Sequence, residues 1–190
     1  MNRGKKIVFL SHCILNANAK VEGLAAYPGA AGELITYLMD QGVGMLQLPC
    51  PEVDVLGVQR WGHVKNQLSH PFFIECCEKM LAPVVRQVEM YRNGGYQLIG
   101  VVGIDGSPCC GVKKTCASEK WAGDFLDPEL TWKKVADLAW VKKPGIFMET
   151  FQKMLAGKHA DLDFFSLDES DPTASVPRLI AALSQRIHRP

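Results

Sequence analysis

The order of apolar runs and amphipathic stretches along this chain predicts an α/β protein, a Rossmann-like three-layer fold on a mostly parallel sheet of about four to five strands. Two observations carry the expectation. Short apolar runs at Ile7–Leu10, Met45–Leu48, Leu98–Ile104 and Leu162–Leu167 alternate with stretches that repeat apolar residues at helical spacing. The run Leu98–Ile104 is almost wholly apolar, as a central parallel strand covered on both faces must be. With 190 residues the chain is long enough for one well-buried core, so a single domain over 1–190 is expected.

Each element follows from local chemistry. After the first strand, Gly29–Gln41 carries Leu34, Ile35, Leu38 and Met39 on one face and stops before Gly42, a helix. The second strand enters Pro49-Cys50-Pro51-Glu52, and a loop through Arg60-Trp61-Gly62-His63 leads to a long helix from Ser69 to Arg92. Ser69 is the expected N-cap, Pro71 sits in the first turn, and Asn93-Gly94-Gly95 is the stop. Pro83 should kink or divide that helix. The third strand ends in the turn Asp105–Pro108.

From Val112 to Pro144 the pattern weakens. Asp127-Pro128 opens a short helix reaching about Ala139, and no strand is expected. With Trp121, Phe125, Trp132 and Trp140 as large apolar faces, 112–144 reads as a cap or lid over the strand ends. A helix from Pro144-Gly145 to Gly157-Lys158, the fourth strand and a terminal helix from Ala174 to Ile187 complete the alternation.

Three of the strands lead into cysteine: the first to Cys13, the second to Cys50, the third to Cys109-Cys110. Open α/β sheets keep their ligand sites beyond the carboxyl ends of the strands, so thiols distant in sequence would meet at one rim. Three converging thiolates suit a soft metal, an iron–sulfur cluster or zinc. Spacing alone leaves the third ligand open between Cys109 and Cys110. Cys76 and Cys77 fall inside the long helix and read as core residues, Cys116 as an ordinary loop cysteine.

Ser11-His12-Cys13-Ile14-Leu15, Cys50-Pro51-Glu52 and Ser107-Pro108-Cys109-Cys110-Gly111 resemble the three sequence blocks of the thiouracil desulfidase family. The resemblance implies a [4Fe-4S] cluster held by Cys13, Cys50 and Cys110, with one iron free of protein ligands to take sulfur from a small thionated substrate such as a thiopyrimidine. It selects Cys110, because Cys109 stands where the family usually has serine, and it gives Glu52 and Ser107 catalytic roles. Partial burial raising the Glu52 pKa would suit general acid–base work, and Ser107 could hydrogen-bond the ring or a developing anion. The chain departs from the family at Asn16–Gly23, where Ala19 replaces a further cysteine, and between Val53 and Arg60. Residues after Gly111 fall outside the shared blocks, so the resemblance is to a divergent branch.

Rival readings are a non-catalytic metal or sulfur carrier, with zinc as the other occupant, and a cluster-dependent lyase of dehydratase type. The balance of 21 basic and 20 acidic residues gives a formal charge of +1, which provides no broad field for nucleic acid or anionic membrane. Only four apolar residues follow the basic start before Ser11, too few for an export signal, so the cytoplasm is the expected address and the seven cysteines are not expected to form disulfides. His12 and His63 read as surface or hydrogen-bonded rather than ligating, and Arg60-Trp61 as a charge and stacking face or a packed loop. The aspartates of 161–169 read as a strand entering an acidic loop, and Gly100–Gly106 lacks the spacing of a nucleotide cradle.

Overall fold

The computed structural model describes residues 2–189. Met1 and Pro190, which the single-domain expectation included, lie outside the described residues. Along the chain come β1 (Lys6–Leu10), α1 (His12–Leu15), a 3-10 turn at Ala17–Ala19, α2 (Gly32–Asp40), β2 (Val43–Gln47), α3 (Pro51–Leu56), α4 (Lys65–Leu68) and α5 (Pro71–Asn93). Then follow β3 (Gln97–Asp105), β4 (Thr115–Ala117), α6 (Pro128–Ala136), β5 (Ala139–Val141), α7 (Ile146–Ala156), β6 (Phe164–Asp168) and α8 (Pro172–Ile187).

The main sheet has four strands in the order β2-β1-β3-β6, all parallel. The chain steps from β1 outward to β2, then crosses back over β1 to β3 and continues to β6, so the direction of travel reverses between β1 and β3. Right-handed crossovers put α2 on one face and α5 and α7 on the other. α5 packs on α7, and α2 packs on α8, which gives the three layers the sequence predicts. The central strands are sealed: Val8, Phe9, Leu10, Val101 and Val102 are fully buried. Phe151 of α7 meets Phe9 and Phe164 edge-on at ring separations of 6.5 and 5.9 Å. Among the described residues no helix is long and apolar enough to cross a membrane.

Several boundaries differ from expectation. Ser69 is the C-cap of α4, and the N-cap of α5 is His70, whose ring accepts from the Phe73 N–H at 3.4 Å. Pro83 does not divide α5, because both it and Lys79, the residue whose carbonyl loses a partner, are exposed and water can take that bond. The stretch 112–144 does contain strands: β4 and β5 pair antiparallel, and β5 begins where the helix was expected to end. Three-residue strands are too short to show a period of two.

Candidate functional site

Leu10 of β1 is the register partner of both Gln47 of β2 and Val102 of β3. Cys13 and Cys50 each stand three residues beyond the Leu10–Gln47 rung, so both reach the same rim at the same height. Two bonds fix where the chains leave the sheet: Ser11 N–H donates to Val102 O at 2.9 Å and Leu48 N–H to Leu10 O at 2.8 Å.

The third thiol arrives differently. β3 runs on to Asp105, turns, and folds back until the Ile104 N–H donates to Cys110 O at 2.8 Å. Ser107 Oγ holds the turn by accepting from the N–H groups of Cys109 at 3.2 Å and Cys110 at 2.9 Å. The carbonyls of Pro108 and Cys109 accept from Ile146, Phe147 and Met148 N–H at 2.9, 3.1 and 3.2 Å. These are the orphan donors at the start of α7, so the helix end and the cysteine loop satisfy each other. Contact is backbone to backbone: a Cβ at Gly103 would stand 2.4 Å from Cys110 O, and one at Gly145 2.4 Å from Cys109 O.

The three thiols are electrostatic neighbours. Burial pushes Cys13 up to about 12, partly offset by the Lys20 ammonium. Burial also raises Cys50, against which the amides of Val53 and Glu52 favour its thiolate. Cys110 is pushed well up by burial and then by the charges of Cys13 and Cys50. Cys109 is 1% exposed and faces Glu52 and Cys77 instead.

Glu52 lies in the first turn of α3, whose N-cap is Cys50, and is 8% exposed. Its Oε2 accepts from Arg60 Nε at 3.1 Å. The same guanidinium donates to Gly57 O at 3.2 Å and Ala19 O at 2.8 Å, so Arg60 is packed rather than free to recognise a ligand. Trp61 is exposed and stacks on Phe125, rings 5.4 Å apart.

The expected 112–144 cap touches this region from one side. Thr115 Oγ1 donates to Ser107 O at 2.8 Å, and the Trp140 ring lies against Gly106. α6 buries no residue. Cys116 lies buried in β4 with its thiol on the His63 carbonyl at 3.4 Å, and His12 contacts Asn16 at 3.5 Å. Cys77 is fully buried on α5, as expected of a core residue.

The sequence reading missed four contributors. Ser11 is fully buried beside Cys110, and its hydroxyl lacks a hydrogen-bond partner. Lys20, just after the 3-10 turn, forms an ion pair with Glu169, the first residue beyond β6. Tyr27 lies within reach of the Glu169 charge. Position past a strand end was a signal available for Glu169. Two surface cavities, about 270 Å³ beside Asp105, Asp168 and Arg178 and about 340 Å³ between α5 and α7, lie away from the thiols.

The donor set fits a soft cationic centre. Cys13, Cys50 and Cys110 are sulfur donors that burial keeps protonated, and a cation at their midpoint would invert that preference. The orphaned Ser11 hydroxyl is a donor suited to a metal-bound sulfur. Among the described residues no group of three His, Cys, Asp or Glu side chains is arranged to hold a single metal ion as it stands.

Fold and rim together define an α/β protein on a four-stranded parallel sheet, with cysteines beyond the strand ends at its topological switch point. An uncharacterized protein of Methanocaldococcus jannaschii, MJ0003, is 37% identical over 112 residues, which cover 59% of this chain and 71% of that relative. The chain belongs to the same family as that protein. No family model matches the chain, and no solved structure matches it.

Proposed function

We propose that the protein is a desulfidase that removes sulfur from a small thionated compound such as a thiopyrimidine, with a [4Fe-4S] cluster on Cys13, Cys50 and Cys110. One observation supports this most: the shared rung beneath Cys13 and Cys50 and the fold-back of β3 bring three thiols from three strand ends to one rim. Bound there, such a cluster supplies a Lewis-acidic iron that lacks a protein ligand and can polarise a thiocarbonyl.

The chain's own groups do the rest. Glu52, held by Arg60, takes a proton from the attacking water and returns it to the departing sulfur. Ser107 Oγ already accepts from two amides, which leaves its hydrogen to donate to the ring or to the developing anion. Thiocarbonyl and water become carbonyl and hydrogen sulfide, with no net redox change.

The test is sulfide release from 2-thiouracil and 4-thiouracil by anaerobically purified protein whose iron content is measured on the same sample. Iron-dependent release is expected, and Glu52→Gln should lower kcat about 100-fold at unchanged iron content. Iron without sulfide release from either compound would overturn the desulfidase reading and favour a carrier, and dehydration of a hydroxy acid would favour the lyase. Colourless, zinc-loaded protein would overturn the cluster.

A further inference from the structure

All four parallel strands end in a chemistry-bearing residue on the same rim, and the fourth is Glu169, directly beyond β6. Its Oε2 is held by Lys20 Nζ, and the two side chains are only 9% and 11% exposed. Its other oxygen, Oε1, is buried without a hydrogen-bond partner, and so is the hydroxyl of Tyr27. A buried carboxylate oxygen with no donor and a buried hydroxyl with no acceptor are both costly, and two such atoms around one ion pair call for a ligand that supplies the missing halves. The cluster is contiguous with the thiols: the Lys20 and Glu169 charges both act on Cys13, and that of Glu169 acts on Tyr27.

We infer that Lys20, Glu169 and Tyr27 form the recognition edge of the site and take a neutral planar heterocycle with a ring N–H beside a carbonyl. Glu169 Oε1 accepts from the N–H, the Tyr27 hydroxyl donates to the carbonyl, and Lys20 fixes the carboxylate through its other oxygen. Lys20 and Glu169 cancel in charge, and Glu33 also acts on Tyr27, so an anionic ligand such as a phosphate is disfavoured. This inference rests on the desulfidase reading for the thionated member of that class. It assigns substrate choice to residues outside the three cysteine blocks: Lys20 and Tyr27 between the first two blocks, and Glu169 beyond β6.

The experiment uses the full chain, anaerobically prepared with iron measured on each sample, and two probes without sulfur: uracil, and 1,3-dimethyluracil, which has no N–H. Calorimetric titration should show uracil binding at least about 10-fold tighter than the dimethyl compound, the discrimination expected when a charged acceptor is left unpaired. Glu169→Gln should erase most of that preference. Tyr27→Phe should weaken uracil about 3- to 10-fold while leaving the thermal midpoint unchanged or higher, because the unliganded protein loses an unpaired buried hydroxyl. Equal binding of both probes or none, or Tyr27→Phe lowering the midpoint with binding unchanged, would overturn the inference. Iron-dependent sulfide release that is indifferent to Tyr27 and Glu169 would sink this edge alone. Selective uracil binding by protein that cannot hold iron would sink the cluster alone.

Discussion

Arg60 donates through Nε to Glu52 Oε2 at 3.1 Å and through Nη2 to Ala19 O at 2.8 Å. One buried guanidinium therefore ties the turn after Cys13 to the helix that begins at Cys50. Arg60→Met would leave the Glu52 carboxylate buried without its partner, at a cost of about 3 kcal/mol. Chemical denaturation should show that loss, and Arg60→Lys should recover only part of it because an ammonium cannot reproduce the fork. A midpoint unchanged by Arg60→Met would mean that the pair does not hold the two cysteine arms.

The Cys110 loop rests on close backbone contact with α7. Gly145→Ala would drive a Cβ to 2.4 Å from Cys109 C and O, so the loop or the helix must shift. The expected destabilisation is about 1–3 kcal/mol, with weakened iron retention. Ser107→Ala removes the acceptor for two amides and should cost about 1–3 kcal/mol. Thermal unfolding and iron content on the same samples check both, and wild-type behaviour in Gly145→Ala would contradict the packing.

Alkaline pH should destabilise the metal-free protein. The folded chain holds the Cys13 proton up to about 12 against 9.0 for an ordinary thiol, so between those values the native state binds more protons than the unfolded one. The stabilisation from this group is fully present below 9.0 and is lost as pH rises through about 12. Burial raises Cys50 and Cys110 in the same direction. Urea midpoints of chelator-treated protein should fall across that range, and Cys13→Ser should flatten the decline. A midpoint that rises with pH there would contradict the burial of this thiol.

The fold and the thiols were legible in the sequence because they depend on patterns one element long. Apolar runs leading to Cys13, Cys50 and the Cys109-Cys110 pair marked strand ends, and parallel pairing placed those ends together, while the choice between Cys109 and Cys110 was not legible in the run pattern. What escaped depends on contacts distant in sequence. Lys20 and Glu169 meet across 149 positions, and no local pattern links them. The sequence left Arg60 open between a recognition face and a packed loop, because its three acceptors, on Gly57, Ala19 and Glu52, are separated along the chain. α3 was missed because its six residues begin directly after Cys50 and are too short for a helical repeat.

The most direct test of the central claim is iron and acid-labile sulfide content of anaerobically prepared protein, compared with Cys13→Ser, Cys50→Ser, Cys110→Ser and Cys76→Ala variants. Near-equal iron and sulfide, about four of each per chain, is expected in the parent and in Cys76→Ala, with sharp loss in the other three. Full cluster content in Cys50→Ser, or zinc without labile sulfide in the parent, would contradict it.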